Sequence, residues 1–567
     1  MNIHYERPMF YAEDIAILAQ EYYGLPENIH VMALPGEKDL NFRLSTSSAE
    51  QDEQYVLKIA HAEESSQVLA MQHAALQHLA QRLPALQLQR VVAAKDGRDL
   101  MPINDRQGCP HLMRLLTYLP GQVWAKANPH TPDRLQALGE VLGAVDAALL
   151  DFVHPAAQRS LKWDLAQSQW AQDYTRHISS ARRKLLVQRH FARYRAQIQP
   201  ALVHLRHSVI YNDANDYNIL VSPRLTPDVL ASTSYAIALI DFGDMLHTAT
   251  ICDLAIACAY AMLDMPDPLA AAADVVRGYH HALPLQEEEL ALLFPLILTR
   301  LCVSVTNSAY QQTIEPDNTY LTISERSAWE LLEKLEQINL NLAHYTMRAA
   351  CSYPAVPHSP LLVEWLREHA DEIGNIVPPD LRTAPYIYTD WSVGSLELTN
   401  PDDYGDPKKF TRQIWNRMDE AGVQIAIGGY NHARPVYGGD AFRIPSNNGY
   451  EWRTVHIGLD VFMDAETPIL APLDGEIHSF ANNAAQYDYG PCIVLKHEIK
   501  IEKSKFKIQN DADTDVEPFL NSEFVILNFY TLYGHLTEDS LSGLSVGKKL
   551  KKGEQIGFDG ESVIEVG

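Results

Sequence analysis

Two short polar loops, each entered from an apolar run rich in β-branched residues, constrain this chain more than any other feature. The first reads Val209-Ile210-Tyr211-Asn212-Asp213-Ala214-Asn215-Asp216-Tyr217-Asn218-Ile219-Leu220-Val221, the second Ile237-Ala238-Leu239-Ile240-Asp241-Phe242-Gly243-Asp244. Short apolar runs bounded by turn formers read as strands. The pattern is therefore strand, loop, strand, turn, strand, with carboxylates at the loop mouths. Phosphoryl transfer needs one carboxylate to accept the acceptor's hydroxyl proton, and further oxygen ligands to hold Mg²⁺ on the β- and γ-phosphates. Asp213 suits the first role, and Asn218 with Asp241 the second.

A lone Asp-Phe-Gly is a weak signal, and Asn-Asp pairs in loops commonly form turns. Here two motifs stand in order: Asp-x-x-x-x-Asn, then Asp-Phe-Gly, the kinase pattern, with Tyr211 two residues before the aspartate where protein kinases carry histidine. With the loop 212–218 and Ile240-Asp241-Phe242-Gly243-Asp244-Met245, and the following Asp253-Leu254-Ala255-Ile256-Ala257, residues 10–350 resemble the aminoglycoside phosphotransferase and choline kinase superfamily. Within it they look most like the hydroxylysine kinase branch. The resemblance implies a bilobal protein-kinase-like fold, Asp213 as catalytic base, and Asn218 and Asp241 as metal ligands.

Upstream, Ala33 to Leu44 reads as strand, turn, strand, with Gly36 in a turn whose amides could cradle phosphate oxygens. Tyr55-Val56-Leu57-Lys58-Ile59-Ala60 is an apolar strand interrupted by one cation, the placement expected of a lysine gripping the α- and β-phosphates of ATP or GTP. Residues 65–80 have helical spacing at Val68, Ala75, Leu76 and Leu79. Many relatives carry there a glutamate that pairs with the lysine. The register places Gln72 at that point, which leaves Glu63 or Glu64 as the substitutes. Residues 111–121 read as the hinge strand against which adenine would lie.

Residues 131–205 are helical by periodicity, most clearly 135–150, and further helices are expected over 250–262, 269–281, 287–310 and 324–347. By resemblance these helices build the acceptor pocket, where carboxylates and aromatic faces suit an amine-bearing alcohol. Asp244, Trp163 and Asp164 are candidates for its wall.

At 567 residues and 46% hydrophobic composition, the chain is too long for one core. A formal charge of -26 excludes a nucleic-acid surface, which needs a basic stripe. The six cysteines show no C-x-x-C pair, and the first residues lack a signal-peptide pattern. Asp253 and Arg300 interrupt the longest apolar helices, so no membrane span and a cytoplasmic location are expected.

A proline-punctuated segment after Ala350 marks a boundary, and residues 351–445 read as a connector containing one short helix over 361–373. Then follows Trp452-Arg453-Thr454-Val455-His456-Ile457-Gly458-Leu459-Asp460-Val461-Phe462. His with a carboxylate is a usual zinc pair; a strand with one buried histidine and a turn aspartate is the alternative. With Ile469 to Ile477, Tyr530-Thr531-Leu532-Tyr533-Gly534-His535-Leu536 and Gly547 to Gly557, residues 450–567 resemble the lysostaphin-type zinc endopeptidases, an all-β fold. The resemblance implies His456 and Asp460 as metal ligands and His535 as a catalytic histidine. The family's His-x-His motif is missing, so Zn²⁺ would have an incomplete site, and the chain reads as a piece of a longer protein. Residues 498–522 read as a charged insertion. Such kinase and peptidase pairs also occur fused to a pyridoxal-phosphate-dependent aminotransferase-like domain, a further possible partner.

The sequence thus predicts an α+β chain: a kinase-like amino-terminal lobe over 1–120, a helical lobe over 121–350, a connector over 351–445 and an incomplete peptidase-like domain over 446–567. The expected activity is transfer of a nucleotide's γ-phosphate to the hydroxyl of an amino alcohol or hydroxylated amino acid. A zinc peptidase and an inactive binding scaffold are the alternatives.

Overall fold

The computed structural model describes residues 8–36, 39–45, 53–223, 235–314, 325–397, 407–438, 440–484, 488–502, 524–560 and 563–566. The chain divides into two compact units, Met1–Pro357 and His358–Gly567.

The first unit begins with an antiparallel sheet in the order His30–Leu34, Leu40–Ser45, Gln54–Ile59, Pro110–Thr117, Val91–Val92, with Met101–Asn104 also paired to Pro110–Thr117. Leu44, Leu57, Ile59, Met113 and Leu115 fill the core of this lobe. The helix Ser66–Arg82 buries Val68, Ala75, Leu76 and Leu79, the face its spacing predicts.

The second lobe is helical. Its helices Pro132–Leu149 and Pro268–Ala282 pack backbone to backbone, because a Cβ at Gly139 would overlap the Val275 carbonyl and one at Gly278 the Gln136 carbonyl. This antiparallel sheet followed by a helical lobe is the two-lobed, kinase-like arrangement expected of the region. Helical periodicity over 131–205 overreaches. Between Leu149 and Ala181 the chain runs through short turns at Pro155–Ala157 and Leu165–Trp170, the latter capped by Asp164. The expected 324–347 helix is likewise two, Glu325–Leu335 and Leu340–Ala350, the second capped by Asn339.

The helix Glu287–Ile314 corrects another expectation. Its 28 residues are long and apolar enough to cross a bilayer despite Arg300, but 78% of its most apolar window is buried within the unit. Two small strand pairs carry the motif loops. His207–Ile210 pairs with Leu246–Ala249, and Ile219–Pro223 pairs with Tyr235–Leu239. Both polar loops, 211–218 and 240–245, therefore span from one strand pair to the other.

The second unit is built on a sheet in the order Ile387–Thr389, Ala426–Gly428, Leu459–Phe462, Val563–Val566, Phe524–Gly534, Gly490–Glu502, Gly475–Asn483, Lys549–Leu550. The proposed connector is thus an integral layer, since two of its strands enter this sheet. The unit is also not purely β. The helix Pro407–Ala421 packs Ile414 and Met418 with Trp391, Ala426 and Phe462. Lysines and arginines spread through that helix dilute its apolar period and mask it in the sequence. The segment 498–522 is not wholly an insertion, because the strand Gly490–Glu502 runs into it; the rest lies outside the described residues.

Candidate active site

The loop 211–218 is folded by its own short side chains. Asn215 Oδ1 accepts the backbone N–H groups of Tyr217 (2.8 Å) and Asn218 (3.2 Å), an Asx turn that brings Asn218 back onto Asp213. Asn218 Nδ2 donates to Asp213 Oδ2 at 2.6 Å, and Asn215 Nδ2 to Oδ1 at 2.9 Å. Burial holds the Asp213 carboxyl well above the ordinary aspartate range; the nearby Asp244 charge adds to this, while Arg300 opposes it. A carboxylate made more basic in this way is a better proton acceptor near neutral pH.

The second loop is pinned around Asp241, a non-glycine residue with φ +61°. Its Oδ1 accepts from the Gly243 backbone N–H and from Lys58 Nζ, each at 3.3 Å. The nearby Lys58 charge, with Arg114 behind it, keeps Asp241 below the usual carboxylate range and therefore ionised. The Asp241 side chain is nevertheless 46% exposed, so it can take a further ligand. Lys58 is 8% exposed and pairs with Asp241 directly. Among the described residues neither Glu63 nor Glu64 pairs with Lys58: Glu64 lies 3.4 Å from His61, and Gln72, at the family's glutamate position, is buried in the helix. Gly36 closes a tight turn, where a Cβ would stand 2.5 Å from the Asp39 carbonyl oxygen.

The two loops are coupled through Tyr211, whose hydroxyl donates to the Ile240 carbonyl and whose ring meets Phe242 edge-on at 4.9 Å. Asn218 O also accepts from Ile240 N at 3.0 Å. Arg159 holds the far side, donating to the carbonyls of Gly243 and Met245. Asp241 and Asn218 offer one carboxylate and one amide oxygen. That set fits magnesium, which takes few protein ligands and completes its shell with phosphate oxygens and water.

Comparison with known proteins bears on this geometry. Residues 32–292 match the family model described as the phosphotransferase enzyme family, APH. The chain is 26% identical over 345 residues to a hydroxylysine kinase of Mus musculus, covering 58% of this chain and 90% of that protein. It is 29% identical over 352 residues to a hydroxylysine kinase of Danio rerio, covering 60% and 95%. Residues 32–292 are a phosphotransferase domain. Among solved structures, an amicoumacin kinase, hAmiN, in complex with AMP-PNP, Ca²⁺ and Ami superposes with a TM-score of 0.42 at 17% identity, covering 57% of this chain and 94% of that one.

Several residues of the phosphotransferase domain have a role at the site that the sequence did not assign them. Asp253, fully buried, accepts the backbone N–H groups of Tyr211 (3.1 Å) and Asn212 (2.8 Å). Behind it Asp146, also fully buried, accepts the Tyr279 hydroxyl at 2.6 Å. Burial, reinforced by Asp253, holds the Asp146 carboxyl well above the ordinary range, so it keeps its proton. Nothing in the local sequence of Asp146 marks it, since it sits in an apolar helix far from either motif.

A cavity of about 140 Å³ opens in the helical lobe, lined by Trp163, Tyr260, Arg300, Asn307 and Glu325 among others. Trp163, a candidate for the acceptor wall, lines this cavity, whereas Asp164, another, does not. Asp164 is 2% exposed, its Oδ1 accepts from Ala166 N and Thr248 Oγ1, and its Oδ2 accepts from Gln167. Asp244 does not line the cavity either; its carbonyl accepts from Asn212 Nδ2 at 3.2 Å, and its charge adds to the raising of Asp213.

In the second unit His456 Nε2 lies 3.5 Å from Asp460 Oδ1, both residues buried. The other Asp460 oxygen is paired with the buried guanidinium of Arg434. His535 occupies a turn with φ +57°, its backbone bonded to Tyr489 and Gly560. Among the described residues no group of three or more His, Cys, Asp and Glu side chains could hold a metal ion.

Proposed function

We propose that the phosphotransferase domain transfers the γ-phosphoryl group of ATP or GTP to the hydroxyl of a small amino alcohol or hydroxylated amino acid, with Mg²⁺. The observation that carries this reading is the loop pair itself. Asp213 is bound to Asn218 within one loop, and Asp241 of the next loop is bound to Lys58 of the sheet lobe. In this scheme Lys58 grips the α- and β-phosphates, and Asn218 and Asp241 hold the cation. When bound, Mg²⁺ neutralises charge on the phosphate oxygens. Asp213 takes the proton as the acceptor oxygen bonds to the γ-phosphorus and the bond to the β-phosphate oxygen breaks, releasing nucleoside diphosphate. The relatives named for hydroxylysine support an acceptor bearing both amine and hydroxyl.

Zinc-dependent peptide hydrolysis at His456, Asp460 and His535 draws no support from the geometry, since Arg434 already neutralises Asp460. The test is nucleoside diphosphate release by the full chain with ATP or GTP, Mg²⁺ and a panel of amine-bearing alcohols. Acceptor-dependent turnover is expected. Release that no acceptor on the panel stimulates would contradict the reading.

A further inference from the structure

The cavity in the helical lobe contains a buried cation whose hydrogen bonds are mostly unmade. Arg300, on the helix Glu287–Ile314, is 3% exposed. Its guanidinium lies over the rings of Trp163 (4.6 Å) and Tyr260 (5.4 Å), and Nη2 donates to the Tyr260 hydroxyl at 3.1 Å. Among the described residues, Nε and Nη1 are buried with no hydrogen-bond partner. A buried charge needs both an opposing charge and satisfied donors, so these groups suit an anionic ligand. The planar guanidinium fork matches a carboxylate in two parallel hydrogen bonds.

On the same cavity wall stands a charge of the other sign. Glu325 accepts from Ser308 Oγ at 3.1 Å and from Gln312. The cavity thus offers a cation and a carboxylate together with two aromatic faces. That is complementary to a zwitterion, with its carboxylate on Arg300 and its ammonium toward Glu325 and the rings. Arg300 is also among the charges that act on the Asp213 carboxyl, opposing the upward push of burial.

We propose that Arg300 reads a carboxylate on the acceptor, so that this domain phosphorylates hydroxylated amino acids in preference to the corresponding amino alcohols. The proposal rests on the kinase reading above. A second source of anionic charge for Arg300 is the phosphoryl group in transfer, and the two are separable by experiment.

The test uses the full chain and matched acceptor pairs that differ only by the carboxylate: L-threonine and 1-aminopropan-2-ol, L-homoserine and 3-aminopropan-1-ol, 5-hydroxy-L-lysine and 1,5-diaminopentan-2-ol. For each pair KM and kcat are measured in the parent, in Arg300→Met and in the charge-retaining Arg300→Lys, along with KM for the nucleotide. The parent should favour the amino acid of whichever pair it uses. Arg300→Met should raise KM for that amino acid about 10- to 100-fold, the worth of a charge-assisted hydrogen-bond pair, and collapse the preference toward parity, with Arg300→Lys intermediate. Parity between acid and alcohol in the parent overturns the proposal without any variant. An equal loss of kcat for both members, with acceptor KM unmoved, assigns Arg300 to the transferred phosphoryl group instead. Turnover with neither member of any pair would contradict the acceptor class of the kinase reading itself, and this proposal with it.

Discussion

Asp253 Oδ1 accepts the backbone N–H of Asn212 at 2.8 Å, and Asn212 is held at φ +65° immediately before the candidate base. A non-glycine residue in the left-handed region stays there only when its surroundings enforce it. The buried carboxylate of Asp253 does so by taking two successive backbone N–H groups, aiming Asp213 at the loop mouth.

Asp253→Ala would leave both N–H groups buried without an acceptor, at about 1–3 kcal/mol each. The variant should melt several degrees lower and lose at least about tenfold in kcat, with a smaller change in nucleotide KM. Thermal melts and steady-state kinetics on the same sample check this. Parental kcat in a correctly folded variant would show that the loop holds its shape without Asp253.

Asp146 supplies a contrast. Its carboxyl keeps a proton that the unfolded chain would release, so it contributes stability at low pH that is lost as pH rises through its raised folded value. Asn at this position can still accept from Tyr279 and carries no ionisable group. Asp146→Asn should therefore stay within about 1 kcal/mol of the parent and lose less stability on going to alkaline pH, whereas Asp146→Leu strands the Tyr279 hydroxyl and should cost more. Denaturant titrations at acidic and alkaline pH discriminate the two.

The pair of loops was legible because its chemistry is local: base, amide and metal carboxylate lie within short motifs flanked by strand-forming runs. Lys58 was legible because a single cation interrupts an apolar strand. What supports them was not, because Asp253, Asp146 and Arg300 act across the fold, meeting partners 41, 133 and 40 residues away. The connector reading failed for a related reason. Its three-residue strands Ile387–Thr389 and Ala426–Gly428 are too short to show a period and exist only because a sheet accepts them.

The raised Asp213 carboxyl sets a pH dependence. Only the ionised form accepts a proton, so kcat should rise with pH along an acid limb placed above the ordinary aspartate value of 3.8. Asp244→Asn removes a neighbouring negative charge and should move that limb downward. A limb that stays in place would separate it from the Asp213 and Asp244 pair.

Asp241→Ala removes the ionised carboxylate that faces both Lys58 and the cleft. Nucleotide affinity measured by calorimetry should fall in the presence of Mg²⁺ and change little without it. Equal dependence on Mg²⁺ in variant and parent would remove Asp241 from the cation site.

The most direct test of the central claim is acceptor phosphorylation by Asp213→Asn, measured beside nucleotide binding. The amide keeps the size of the side chain and one of the two hydrogen bonds that Asp213 accepts, and it cannot take a proton. Turnover should fall on the order of 10²- to 10⁴-fold while the nucleotide dissociation constant stays near that of the parent. Near-parental turnover would contradict the assignment of Asp213 as the base on which this account rests.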